Sequence, residues 1–190
     1  QIMKQRATTV LITALFTILV ISCDSPQSKN CTQYYNFNNM WKFVYGEVEK
    51  GEIEDFDDSE WRLVNLPHDY SIEDYEVQDT SHIGPFNKWL PGGKDVGYLK
   101  DGIAWYRKTF KSPAISDGQQ AILYFDGVQS MMQLWVNGEL VGDHAYGYTP
   151  FYFNITPFFH VDQDDNVIAV RCSNPGENSR WFAGAGIYRN

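Results

Sequence analysis

The stretch that most constrains the fold runs from Ala121 to Asn154 and centres on Asn137-Gly138. Two short runs of alternating apolar residues meet at this pair. An Asn-Gly pair suits a two-residue type I′ turn because both central residues of that turn need a positive φ. The apolar side chains of the first run share one face: Met132, Leu134 and Val136. The stretch therefore predicts a tight antiparallel hairpin with one face directed into a core.

Other runs of alternating or aromatic-rich residues predict further short strands. They lie at 41–48, 61–66, 102–111, 149–154 and 167–171. Pro67 ends the second of these runs, because proline has no N–H to donate to a central ladder. Helical periodicity is almost absent after residue 22, so residues 35–190 are predicted to form an all-β jelly-roll sandwich of seven or eight strands, like a galactose-binding domain.

Composition limits the partners and the number of domains. A chain of 190 residues with 43% hydrophobic content suffices for one β domain and a tail. The formal net charge of −9 comes without a Lys/Arg cluster, which argues against a nucleic-acid partner. Aromatic residues make up 16% of the chain, which suits both a β core and the stacking of rings on sugars.

The first 22 residues read as a signal peptide rather than as part of the fold. Lys4 and Arg6 precede an apolar run, 10–21, of the length expected for a signal-peptide core. The run ends at Leu19-Val-Ile-Ser-Cys23, which resembles a bacterial lipobox and makes Cys23 the predicted lipidation site; an ordinary secretory signal is the alternative. Residues 23–34 are then a polar tether, and the protein is expected at the bacterial cell envelope, anchored to a membrane.

The remaining cysteines and the histidines do not form a metal-binding pattern. Cys31 and Cys172 could pair in an oxidising compartment. Cys172, however, shares its parity with apolar neighbours, which favours a place in the core as a small hydrophobe. The four histidines, at 68, 82, 144 and 160, are scattered, and neither a metal site nor a cofactor is predicted.

Four further features have competing interpretations. The acidic run 52–60 is interpreted as a solvated loop without chemistry. The long irregular stretch 70–101 is interpreted as a loop that either has a function or covers part of the domain. His68 is read as a structural histidine rather than a proton donor. Trp135 is either a stacking platform for a sugar or a ring packed under the long loop.

Motifs along residues 35–190 resemble the amino-terminal sugar-binding domain of family 2 glycoside hydrolases, and bacterial β-galactosidases most of all. The motifs occur in the order expected of that domain: Asn65-Leu-Pro-His-Asp69, Gly102-Ile-Ala-Trp-Tyr-Arg-Lys-Thr-Phe110, Phe125-Asp-Gly-Val128, Trp135-Val-Asn-Gly-Glu-Leu140, Gly147-Tyr-Thr-Pro-Phe151, Asn166-Val-Ile-Ala-Val170 and Ser179-Arg-Trp-Phe-Ala-Gly-Ala-Gly-Ile-Tyr-Arg189.

The resemblance implies that this jelly roll precedes an immunoglobulin-like domain and a TIM barrel. The barrel would hold the general acid/base Glu and the nucleophilic Glu of a retaining mechanism, about 5 Å apart. No catalytic residue is therefore expected in these 190 residues, which are read as a fragment of a longer enzyme. A homo-oligomer is an option that the sequence does not decide.

The resemblance also implies substrate contacts by Asp69, Arg180 and Trp181 at the mouth of the barrel. A carboxylate and a guanidinium can each fork onto neighbouring sugar hydroxyls, and an indole can stack on the ring. Asp69 could instead hold backbone at a turn, and Trp181 could fill the interface with the barrel.

Two hypotheses about function follow. The first is a lipid-anchored retaining glycoside hydrolase that removes terminal β-galactosides, with a β-glucuronidase or β-mannosidase of the same family as alternatives. The second is a carbohydrate-binding lipoprotein without catalysis.

Overall fold

The structure, a computed structural model, describes residues 32–73, 99–158, 160–161, 165–176 and 183–190. The chain divides into two compact units, Gln1–Tyr35 and Asn36–Asn190. The predicted signal peptide, Cys23 and Cys31 lie outside the described residues, as do residues 74–98 of the predicted long loop. Within the described ranges, no helix is both long enough and apolar enough to cross a membrane.

Eight antiparallel strands build the second unit. They are β1 (Trp41–Tyr45), β2 (Arg62–Val64), β3 (Gly102–Lys111), β4 (Ile122–Phe125), β5 (Met131–Val136), β6 (Glu139–His144), β7 (Phe151–Asn154) and β8 (Asp165–Asn174). Six of them form one sheet in the order β2-β1-β3-β8-β5-β6, and β4 pairs with β7 in a second sheet. The described residues also include two short 3₁₀ helices, Tyr70–Ile72 and Thr156–Phe158. The all-β jelly-roll prediction is confirmed.

The core lies between the inner faces of the two sheets. The larger sheet contributes side chains that are at most 3% exposed: Trp41, Phe43, Tyr106, Met132, Leu134, Val136, Ile168, Val170 and Cys172. Leu123 and Phe125 of β4 complete the core from the opposite sheet. Because side chains alternate along a strand, each of these strands leaves a second face for solvent or for loops.

The hairpin predicted at Asn137-Gly138 is present. Val136 pairs with Glu139, and the two turn residues have φ values of +50° and +81°. These positive values are the ones that a type I′ turn requires, so an Asn-Gly pair closes this hairpin with little strain. The apolar face predicted for β5 is buried.

Cys172 occupies the core position that its parity predicts. Its side chain is fully buried and carries a free thiol. Burial raises the pKa of this thiol, so Cys172 stays protonated and acts as a small apolar side chain.

The acidic loop at 52–60 is largely exposed, as predicted, and one buried arginine holds it to the sheet. Arg107 on β3 is 1% exposed and reaches into this loop. Its guanidinium donates to Asp58 Oδ2 at 3.0 Å and to the carbonyls of Gly51, Ile53 and Glu54 at 2.6, 2.9 and 3.2 Å. A planar guanidinium with several N–H donors can satisfy all four oxygens at once, so Arg107 fixes the loop over the outer face of the sheet.

Candidate functional site

Asp69 joins two segments at the end of the sandwich. It caps the 3₁₀ helix Tyr70–Ile72, and its Oδ1 accepts hydrogen bonds from Ser71 N at 3.0 Å and Ser71 Oγ at 2.6 Å. The same oxygen accepts from the backbone N–H of Ala185 at 2.9 Å. The backbone role weighed for Asp69 is therefore real, and it occupies one of the two carboxylate oxygens.

The second oxygen, Oδ2, lies against Gly184, and the ring of Tyr188 borders the same glycine. A Cβ built on Gly184 would lie 3.0 Å from Oδ2 and 3.8 Å from Tyr188 Cγ. Gly184 has a φ of +77°, which also disfavours any larger residue. The hydrogen bonds given to Asp69 by the described residues all go to Oδ1, so glycine at 184 leaves room for a donor from elsewhere to reach Oδ2.

Tyr188 connects this carboxylate to an aromatic loop. Its hydroxyl donates to Gly147 O at 2.9 Å. The neighbours of Gly147, Tyr146 and Tyr148, are 56% and 49% exposed, and their rings meet edge to face at 5.7 Å. We call Asp69, Gly184, Tyr188, Tyr146 and Tyr148 the Asp69 surface.

The electrostatics of the Asp69 surface favour a neutral phenol at Tyr188. Burial raises the pKa of Tyr188, and the charge of Asp69 adds to the shift, while Arg189 opposes it. The phenol therefore remains a hydrogen-bond donor at physiological pH. A carboxylate oxygen can accept from a sugar hydroxyl, and exposed rings can cover apolar C–H surface, so the Asp69 surface contains both kinds of group that contact carbohydrates.

His68, next to Asp69, has a structural role, as predicted. Its Nδ1 lies 2.8 Å from the hydroxyl of Tyr106, and its Nε2 lies 2.9 Å from Glu73 Oε1. Glu73 is in turn bound by Arg62 and lies 3.8 Å from Lys100 Nζ. Both ring nitrogens are thus engaged in holding the chain around the 3₁₀ helix.

The other predicted contacts, Arg180 and Trp181, lie outside the described residues and stay predictions. The role of Asp69 in substrate binding also stays a prediction. Sequence reasoning missed Gly184 and Tyr188, although both stand in the quoted run that ends at Arg189. Among the described residues, no group of three or more His, Cys, Asp or Glu side chains could hold a metal ion.

Comparison with known proteins gives a consistent result. The family model for the sugar binding domain of glycosyl hydrolases family 2 matches residues 34–190. Beta-galactosidase BoGH2A of Bacteroides ovatus is 36% identical over 170 residues, which are 89% of this chain and 19% of that protein. A beta-glucuronidase of Formosa agariphila is 29% identical over 171 residues, or 82% of this chain and 16% of the relative.

Solved structures agree with the sequence relatives. A glycosyl hydrolase family 2 member from Bacteroides cellulosilyticus superposes with a TM-score of 0.69 at 36% identity, covering 82% of this chain and 19% of that one. The chain thus spans about a fifth or less of the length of the proteins that it matches.

Proposed function

The chain belongs to the sugar-binding domains of glycosyl hydrolases family 2, and from this membership we propose that its whole protein hydrolyses terminal β-galactosides. In this proposal the catalytic Glu pair lies in a downstream barrel, outside this chain. The jelly roll supplies part of the pocket for the terminal sugar, with Asp69 as the contact among the described residues and with Arg180 and Trp181 as further predicted contacts.

The observation that carries the proposal is the direction of Asp69 Oδ2. Oδ1 is held by Ser71 and Ala185, so the side chain is fixed before a ligand arrives. Oδ2 faces the space that Gly184 leaves open. A carboxylate oxygen accepts hydrogen bonds from hydroxyls but repels another carboxylate, which favours a neutral sugar such as galactose over a uronic acid.

A second candidate is hydrolysis of β-glucuronides. The relative from Formosa agariphila is a beta-glucuronidase. In addition, the exposed Arg189 guanidinium lies 5.3 Å over the Tyr188 ring, at the border of the Asp69 surface. A guanidinium is the usual partner of a substrate carboxylate, so this residue could favour the acidic sugar.

Hydrolysis of three chromogenic substrates by the full-length protein separates these candidates. Preferential cleavage of the β-galactoside supports the first, and preferential cleavage of the β-glucuronide supports the second. Preference for the β-mannoside would reject both. A folded protein that cuts none of the three but binds glycans would be a binding module without catalysis.

The proposal includes an anchor in the bacterial cell envelope. Cys23 follows an apolar run that ends in a lipobox-like sequence, which supports acylation of its thiol after cleavage. In the native host, the protein should label with a fatty-acid probe and partition into detergent. Cys23→Ser should abolish both, whereas an unchanged distribution would reject the anchor.

A further inference from the structure

The outer face of the six-stranded sheet carries a row of polar and aromatic side chains. Arg171 on β8 pairs with Trp105 on β3 and with Gln133 on β5. Since paired residues point to the same side of a sheet, these three side chains stand side by side. Trp135 lies two positions beyond Gln133 on the same face of β5.

The two tryptophans form a rigid pair on this face. Their rings stack at 5.3 Å with an interplanar angle of 24°. Trp105 is 2% exposed, and Gly51 of the loop held by Arg107 lies against it. Trp135 keeps part of its indole at the surface. Ala169 pairs with Trp135 on the neighbouring strand and is itself 1% exposed, so the exposed part of the indole lies away from Ala169, where Gln133 and Arg171 also reach the surface.

Charge on this face is balanced internally. Glu47 accepts hydrogen bonds from Arg171 Nε at 3.1 Å, from Arg171 Nη2 and from Trp105 Nε1 at 3.0 Å. The guanidinium of Arg171 is therefore neutralised and oriented, and its Nη1 lies 3.5 Å from Gln133 Oε1. A ligand here does not need a charge of its own.

Two side chains on the same face carry hydrogen-bond donors that have no acceptor among the described residues. No described residue accepts from the indole N–H of Trp135 or from the amide nitrogen of Gln133. Gln133 and Trp135 are both partly exposed, and neither donor is among the buried side-chain polar atoms without a partner in the described part of the chain. Unpaired donors beside a ring suit a ligand that is rich in acceptor oxygens.

We propose that Gln133, Trp135 and Arg171 form a second carbohydrate-binding face, here called the Trp135 face, which takes a stretch of neutral glycan. The indole covers the apolar C–H surface of one sugar, while the Gln133 amide and the Trp135 N–H donate to hydroxyl or ring oxygens. The internal pairing of Arg171 and the net charge of −9 both disfavour acidic polysaccharides. The Trp135 face does not depend on the Asp69 surface or on the proposed function.

Native affinity electrophoresis of the full-length protein tests this proposal. The gel contains β-1,4-galactan as the neutral probe or polygalacturonate as the acidic one, and excess free galactose occupies any site for a single terminal sugar. We expect retardation by galactan to persist with galactose present. Gln133→Ala and Trp135→Ala should each weaken it by about 2- to 10-fold, the range expected for one lost polar or aromatic contact.

Matched variants keep the test decisive. Tyr124→Ala should leave the retardation unchanged, because this 55% exposed ring lies on β4 of the other sheet, outside the Trp135 face. Trp135→Phe keeps a ring and serves where Trp135→Ala fails to fold. Absence of retardation in galactan, retardation that galactose abolishes, or equal retardation of wild type and Gln133→Ala would each overturn the proposal. Stronger retardation in polygalacturonate would overturn the assignment to neutral glycans.

Discussion

Asp69 Oδ1 accepts a 2.9 Å hydrogen bond from the backbone N–H of Ala185, a residue 116 positions further along the chain. The bond fixes the carboxylate next to Gly184 and leaves its second oxygen without a hydrogen bond from the described residues. Asp69 therefore has a structural role through Oδ1 and a proposed sugar-binding role through Oδ2, and different substitutions at this position can separate the two roles.

Asp69→Asn and Asp69→Ala should have different effects. Asparagine keeps an oxygen acceptor for Ser71 and Ala185, so we expect the free energy of unfolding to change by less than about 1 kcal/mol. Alanine removes the cap and the contact with Ala185 and should cost about 1–3 kcal/mol. If Oδ2 binds the sugar, kcat/KM should fall about 10- to 100-fold in Asp69→Asn, the scale of a charge-assisted hydrogen bond.

Denaturant unfolding and steady-state kinetics on the same two full-length variants check this. Full activity in the asparagine variant would leave Asp69 with its structural role alone.

Gly184→Ala tests whether the space in front of Oδ2 matters. Gly184 and Gly118 have similar φ values, +77° and +82°, but a Cβ on Gly118 would meet nothing within 4 Å. Both substitutions should cost about 1–2 kcal/mol of stability from the left-handed backbone. Only the Gly184 variant places a methyl 3.0 Å from Asp69 Oδ2, so only it should also lower kcat/KM. Equal kinetics in the two variants would contradict an accessible Oδ2.

Arg107→Met should strongly destabilise the domain. The substitution leaves Asp58 and three loop carbonyls without their shared donor, and we expect a loss of about 3–5 kcal/mol. Arg171→Met is the matched control on the same outer face. Its partner Glu47 is 51% exposed, so the loss should be about 0–1 kcal/mol. Similar thermal unfolding of the two variants would reject the clamp role of Arg107.

His68 should make stability depend on pH near neutrality. Burial lowers its pKa below the ordinary 6.5, although Glu73 opposes the shift. The unfolded chain therefore binds a proton at a higher pH than the folded chain does. The stability that the neutral, buried His68 contributes is fully present above pH 6.5. It is lost as the pH falls through the lowered pKa of His68 in the folded protein.

The groups facing His68 are Glu73, Arg62 and Tyr106. Burial would raise the pKa of Glu73, but hydrogen bonds from Arg62 and His68 lower it overall. The titration of Glu73 therefore changes the free energy of unfolding only below about pH 4.5, outside the range in which His68 titrates. His68→Gln should flatten the pH dependence of unfolding between about pH 7.5 and 5. His160→Gln, at an exposed position, is the control. An unchanged slope in His68→Gln would contradict this account.

The sequence predicts the parts of this fold that follow from local rules. The turn at Asn137-Gly138 and the buried face of β5 depend on residue type and alternation alone. The place of Cys172 in the core follows from the same alternation. A structural role for His68 is also predicted, but its pairing with Glu73, five positions later, is not.

Contacts between distant segments could not be predicted in this way. Arg107 stands on a strand whose pattern reads as ordinary, and nothing local shows that it reaches Asp58, 49 positions earlier. Likewise, the sequence does not show why position 184 is a glycine, because the reason is the nearby Asp69 carboxylate, which only the structure places there. Trp135 illustrates both cases, since its parity places it on the outer face while its stacking on Trp105 is visible only in the structure.

The most direct test of the central claim is the hydrolysis of chromogenic β-galactoside, β-glucuronide and β-mannoside by the full-length protein, expressed without its predicted signal. We expect kcat/KM for the β-galactoside to exceed the other two by about 10-fold or more, because a site with a fixed carboxylate acceptor discriminates strongly between polar substrates. Preferential cleavage of the β-glucuronide or the β-mannoside, or no cleavage by a folded protein, would contradict the account.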